Sequence, residues 1–144
     1  NLHHVLDNTL VIFGHALRNM TITRDYASNV PLVPLYMGDI EQVWANIIDN
    51  AVDATNGRGS VHIHTEVEGE CAVVEITDNG VGIPPHILPR IFEPFFTTKN
   101  VGEGAGLGLD IAYRIVVNRH HGDIRVTSQP GDTRFRVYLP LTQA

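Results

Sequence analysis

Cysteine is almost absent from this 144-residue chain. Cys71 stands alone, so no internal disulfide can form, and its place in an apolar run suits plain packing in a reducing cytoplasm. No uninterrupted apolar run reaches the length of a membrane span, so direct membrane contact is not expected. Basic residues are outnumbered as well. Ten Lys and Arg against sixteen Asp and Glu leave a formal charge of −6, the wrong sign for a nucleic-acid surface, which needs a basic stripe. No secretory signal opens the chain, and no internal repeat or low-complexity segment is visible. It begins in a helical pattern without an initiator Met, which reads as a domain of a longer protein. A composition 43% hydrophobic and 18% charged supports one domain with a full core over 1–144.

Periodicity divides the chain into alternating helices and strands. Leu2, Val5, Leu6, Leu10, Phe13 and Leu17 recur at helical spacing and predict a helix over most of residues 1–19. The domain core is expected over 20–141. Met20 to Tyr26 alternates as a strand, and Pro31 and Pro34 mark an extended connection. Asp39 is placed to cap a helix running to about Thr55, stopped by Asn56-Gly57. Ser60 to Glu66 and Ala72 to Thr77 alternate as a hairpin across Glu68-Gly69-Glu70. A short helix over Pro84 to Arg90 and a longer one over Gly106 to His120 follow. Two last strands, Asp123 to Ser128 and Arg134 to Leu139, flank the turn Gln129-Pro130-Gly131-Asp132. The expected fold is α+β, a two-layer sandwich in which helices cover one face of a mixed, mostly antiparallel sheet.

The helix before Thr55 carries unusual residues. Val43, Trp44, Ile47, Ile48, Ala51 and Ala54 share one side, while Asn46, Asn50 and Asp53 line a strip along its edge. Asparagine is a mediocre helix former, so two of them one turn apart need a reason. Either they sit on a solvated face, or Asn50 offers an oxygen to a hard cation such as Mg²⁺, which takes few protein ligands.

Two glycine-rich stretches complete the pattern. Asp78-Asn79-Gly80-Val81-Gly82-Ile83-Pro84 places a carboxylate at a strand end, followed by glycines where backbone must come close to something flat. Gly104-Ala105-Gly106-Leu107-Gly108-Leu109 opens an apolar-periodic helix and offers backbone N–H groups to phosphate. Alone, the first could be a turn closing a loop. Together with Asn46-Ile47-Ile48-Asp49-Asn50-Ala51, and in this order, they resemble the ATP-binding domain of sensor histidine kinases, a fold shared with type II topoisomerases and mismatch-repair ATPases. The resemblance covers roughly Met20 to Leu141.

The resemblance implies the following roles. ATP and Mg²⁺ are the expected ligands, with Asn50 on the metal and Asn46 supporting the phosphates or a metal-bound water. Asp53 borders the nucleotide. Asp78 reads adenine, its acceptors matching the exocyclic amino group and rejecting the guanine carbonyl. Gly80, Gly82 and Ile83 approach the base, Thr133 bonds near it, and Gly104, Ala105, Gly106, Leu107, Gly108 and Leu109 contribute to the phosphate side. Between the glycine boxes, Ile91-Phe92-Glu93-Pro94-Phe95-Phe96-Thr97-Thr98-Lys99 matches the border of a mobile lid expected from about Thr97 to Glu103. Lys99 is either a point charge for the triphosphate or an ordinary exposed lysine. The implied partners are a histidine-bearing dimerisation domain of the same protein and a response regulator, at a cytoplasmic location.

The chain departs from the family pattern in two places. Ala105 stands where a threonine is usual, and the usual Gly-x-Gly-Thr-x-Phe is shortened to Gly131-Asp132-Thr133-Arg134-Phe135, which alters the loop beside Thr133. His15-Ala16-Leu17-Arg18-Asn19-Met20 imitates the phosphoacceptor motif but lacks its acid and its proline, and no helical hairpin fits around it. The phosphoacceptor is therefore expected outside this chain. His62 and His64, with the pairs His3-His4 and His120-His121, read as surface histidines, since no carboxylate or cysteine stands at ligand spacing. Kinase chemistry is the leading reading. An ATP-hydrolysing switch of the same fold would use a glutamate one turn before Asn50, where Asn46 stands, and an amide is no general base. A nucleotide-sensing module without catalysis is the third reading.

Overall fold

The computed structural model describes residues 1–93 and 109–142. Its elements run α1 (Leu2–Ile12), β1 (Thr21–Tyr26), α2 (Met37–Thr55), β2 (Ser60–Glu68), β3 (Cys71–Asp78), a 3₁₀ turn (Leu88–Arg90), α3 (Leu109–Arg114) continued by a π turn (Ile115–Arg119), β4 (Asp123–Gln129) and β5 (Asp132–Pro140). The strands form one sheet in the order β1-β2-β3-β5-β4. Only the β1–β2 pair is parallel; the other three are antiparallel. This is the mixed, mostly antiparallel α+β arrangement that the alternation predicts.

Strand periodicity sorts the two faces of the sheet. Val61 and Ile63 of β2, Ala72, Val74 and Ile76 of β3, and Phe135, Val137 and Leu139 of β5 point into the core. Against them pack Leu2, Val5 and Leu6 of α1, Ile40, Val43, Trp44, Ile47 and Ile48 of α2, and Leu109, Ala112 and Val116 of the last helix. Each large apolar side chain so buried stabilises the fold by about 1.5–3 kcal/mol. The opposite face is polar. There Arg136 spans three strands, donating to Glu75 at 2.7 Å, Glu66 at 3.0 Å and Glu68 at 3.2 Å.

Several expectations are corrected. The helix expected to reach Leu17 ends at Ile12, where Phe13 leaves the helix and the Gly14 N–H bonds back only three residues to Val11 O. Leu17 is buried from the turn that follows. Asp39 is not the cap of α2. The helix starts at Met37 with Tyr36 as its cap, and Asp39 in the first turn pairs with Arg119 at 2.9 Å. No side chain caps α2; the N–H of its cap residue, Tyr36, instead donates to His120 Nε2 at 3.0 Å. His120 is accordingly no surface residue: it is 1% exposed, and its Nδ1–H donates to Ile115 O at 2.9 Å. Finally, the last helix leaves α geometry at Ile115, and the π turn carries the His120 ring inward. The stop at Asn56-Gly57 is as expected, both residues having positive φ.

His3 is half-buried rather than on the surface. It stacks on Tyr26 at 4.3 Å and its Nε2 lies 2.8 Å from Thr65 Oγ1, which already accepts the Ala27 N–H. Burial, against the pull of Asp7, holds the His3 pKa below the ordinary imidazole value. A depressed histidine pKa means the unfolded chain takes up the proton first, so stability falls as pH drops below about 6.5 until His3 is protonated in the folded state too. Thermal melts at pH 7.5 and pH 5.5 should show this loss, and His3→Gln should make it smaller. An equal loss in His3→Gln would assign the acid sensitivity to other groups.

Candidate active site

The site lies where β3 ends, beneath the C-terminal half of α2. Asp78, the last residue of β3, faces Val61 on one side and Thr133 of β5 on the other. It is 5% exposed, and its Oδ1 accepts the Gly80 N–H at 2.9 Å. Burial pushes its pKa up; the Gly80 bond opposes this, and the charge of Asp132 adds to the rise. A carboxylate kept this dry, with no ion pair among the described residues, is a costly group for a fold to carry, which marks it as a candidate ligand-reading residue.

Asp78 opens into a cavity of about 210 Å³. Asn50, Asp53, Gly82, Ile83, Leu109 and Thr133 also line it. Seven of the residues singled out in the sequence thus meet around one space. Asn50, on the inner edge of α2, is 9% exposed, whereas Asp53 one turn on is exposed. The remaining walls are apolar and were not singled out as ligand contacts: Ala54, Val81, Pro84, Ile87 and Phe135. Phe135 could have been found, since it alternates inward on β5 two residues beyond Thr133 and pairs with Ile76.

Not every expected residue lies there. Asn46, one turn before Asn50, does not line the cavity; its Oδ1 accepts from Gln42 Nε2 at 2.7 Å. Gly80 sits behind the loop, on a shallow groove facing the C-terminal end of α2. Lys99, Gly104, Ala105, Gly106, Leu107 and Gly108, with the whole of Thr97 to Glu103, fall outside the described residues.

The loop after Asp78 is clamped from both sides. The Val81 N–H donates to Ala54 O at 3.0 Å, and a Cβ on Gly80 would stand 2.5 Å from that same oxygen. Gly82 has a φ of +84°, and a Cβ there would approach the Gln129 backbone to 2.9 Å. Both glycines are thus required by close backbone approach, and at Gly82 by a left-handed conformation as well. From the β4–β5 turn, the Gly131 N–H donates to Gly80 O at 2.8 Å. The shortened Gly131-Asp132-Thr133 sequence therefore does not release the hairpin from the loop.

The cavity combines a buried carboxylate, a buried hydroxyl, a buried side-chain amide and apolar walls. A carboxylate acceptor between apolar walls suits a flat heterocycle carrying an amino group. The phosphoacceptor-like His15 is elsewhere, exposed in the turn after α1 and 2.8 Å from Arg18 Nη1. Among the described residues no helix is long and apolar enough to cross a membrane, and no cluster of three His, Cys, Asp or Glu could hold a metal ion.

Comparison with known proteins agrees with this geometry. The chain is 34% identical over 153 aligned residues to the sensory histidine kinase/phosphatase NtrB of Proteus hauseri, covering 98% of this chain and 43% of that protein. It is 44% identical over 104 residues to the signal transduction histidine-protein kinase AtoS of Escherichia coli, covering 71% of this chain and 17% of that protein. The chain thus spans less than half the length of these curated relatives. Among solved structures, the nucleotide-free catalytic domain of histidine kinase ThkA superposes with a TM-score of 0.89 at 29% identity, covering 99% of this chain and 96% of that one. ThkA bound to response regulator TrrA gives 0.84 at 28% identity, over 99% of this chain and 41% of that one. Residues 38–143 match the family described as histidine kinase-, DNA gyrase B- and HSP90-like ATPase, and the chain belongs to that family.

Proposed function

We propose that this chain binds Mg²⁺–ATP and presents the γ-phosphoryl group to a histidine on a separate helical dimerisation domain of the same protein. The observation that carries the reading is the buried Asp78 carboxylate lining a largely apolar cavity together with the buried Asn50. In this reading Asp78 accepts from the adenine amino group. Gly82, Ile83 and Leu109 border the base, and Thr133 supplies a hydroxyl beside it. Asn50 holds Mg²⁺ through its amide oxygen, Asp53 borders the nucleotide, and Asn46 supports the phosphate side with Lys99 and the stretch from Gly104 to Gly108. The metal, when bound, neutralises the charge that develops as the phosphoryl group leaves. The protein's own part is positioning, since phosphoryl transfer asks for little covalent chemistry from the enzyme. The whole of 1–144 serves as one catalytic unit, with α1 closing its core. A response regulator would then take the phosphoryl group, and the assembly would work in the cytoplasm.

Two features favour a kinase over an ATP-hydrolysing switch. Asn46 occupies the turn before Asn50, where a water-activating carboxylate would be needed. Asp49, the nearest acid, is exposed and does not line the cavity. Incubated with γ-labelled ATP, the isolated chain should hydrolyse it very slowly and acquire no label. Adding the histidine-bearing domain should produce acid-labile phosphohistidine on that domain. Rapid steady-state turnover by the chain alone would establish the switch instead, and label on His15 would relocate the acceptor.

A further inference from the structure

Ser128 lies on β4, directly opposite Thr133 in the β4–β5 register, and does not itself line the cavity. Its Oγ accepts the Ile83 N–H at 2.8 Å and stands 2.7 Å from Thr133 Oγ1. One hydroxyl therefore ties together two residues that do line the cavity, one from each side of the base site. Thr133 is 3% exposed and neighbours Asp78 across the β3–β5 register.

A serine hydroxyl has one proton and two acceptor sites. The Ile83 N–H occupies one acceptor site. If Thr133 donated to Ser128, the Thr133 oxygen would face the cavity as an acceptor only, beside the carboxylate acceptors of Asp78. If Ser128 donates to Thr133, the Thr133 proton is freed for the cavity. Adenine presents a donor amino group next to an acceptor ring nitrogen, so a matching site needs an acceptor with a donor beside it. The second arrangement supplies both.

We infer that Ser128 is a positioning residue for base recognition: by donating to Thr133 Oγ1 while accepting the Ile83 N–H, it commits the Thr133 hydroxyl to donate toward the ring nitrogen beside the adenine amino group. The inference rests on the ATP-binding reading above. It goes further in giving Thr133 a polarity and in assigning a role to a residue outside the cavity wall.

A cycle of two perturbations separates this role from simple support of the loop. Calorimetry would measure binding of ATP and of 1-deaza-ATP, which lacks that ring nitrogen, to the unaltered chain, Ser128→Ala and Ser128→Thr. Ser128→Ala should weaken ATP by about three- to tenfold, the range of one neutral hydrogen bond, and weaken 1-deaza-ATP markedly less. Ser128→Thr keeps the hydroxyl and suits a strand, so it should bind both as the unaltered chain does. Equal weakening of both nucleotides in Ser128→Ala would reduce Ser128 to loop support and overturn the inference. So would loss of ATP binding in a folded Ser128→Thr, should Ser128→Ala not fold. ATP bound normally by Ser128→Ala would overturn the inference alone. No ATP binding by the unaltered chain would overturn it together with the ATP-binding reading.

Discussion

Asp78→Asn is expected to remove most of the ATP affinity while leaving the fold as stable as before, or more so. The side chain is 5% exposed, and burial raises its pKa above the ordinary carboxylate value. An acid whose folded pKa is raised holds its proton longer in the folded state than in the unfolded one. Stability therefore falls as pH rises through the interval between the two values, and at neutral pH the ionised group burdens the fold. Asparagine removes that charge, and its Oδ1 can still accept the Gly80 N–H that Asp78 accepts at 2.9 Å. Its amide nitrogen, however, meets the amino group of the base with a second donor. A buried donor facing a donor costs about 2–3 kcal/mol, roughly 30- to 150-fold in Kd. Calorimetry with ATP and GTP, run beside thermal melts, tests both halves. Equal affinity of the unaltered chain for ATP and GTP would end the adenine-reading assignment. A melting temperature lowered by several degrees in Asp78→Asn would mean that the carboxylate stabilises the fold.

Asn50→Ala is expected to act on the other end of the site and on another parameter. Alanine is the better helix former, so α2 should persist. What is lost is the amide oxygen proposed to hold Mg²⁺, whose charge matters most as the phosphoryl group departs. Transfer to a histidine-bearing domain should slow by about two orders of magnitude, ~3 kcal/mol of barrier, while nucleotide affinity changes less than tenfold. Asn50→Asp should also impair transfer, because a carboxylate there adds charge facing the phosphates. Transfer rates over a magnesium titration decide the matter. An Asn50→Ala variant that transfers at the unaltered rate under limiting magnesium would remove Asn50 from the metal.

The sheet was readable because alternation is a local property. Val61 and Ile63 against His62 and His64, or Phe135, Val137 and Leu139 against Arg134 and Arg136, declare their faces without reference to any partner strand. The cavity lining was readable where a residue type was out of place, as with Asn50 inside an amphipathic helix or Asp78 at the end of an apolar strand. Other features depended on contacts between distant residues. Nothing near Tyr36 announces that its N–H will be accepted by His120, eighty-four residues later, so local signals alone set the start of α2 too late. The burial of His120 is illegible for the same reason, because a π turn rotates it inward and no spacing rule anticipates one. Ser128 carries no signal of its own in the sequence, because its place is set by its register partner, and register is fixed only when the β4–β5 hairpin closes around Gly131.

Helix α2 carries Asn50 on the cavity and, four residues later, the Ala54 carbonyl that anchors Val81. Four residues of α-helix rise about 6 Å, roughly one turn. A single rigid turn thus acts as a gauge between the rim of the site and the loop that closes it. Inside this turn, one added residue would swing Asn50 by about 100° away from the cavity while Ala54 kept its hold on the loop. The calibre of the site is therefore set by the helical repeat.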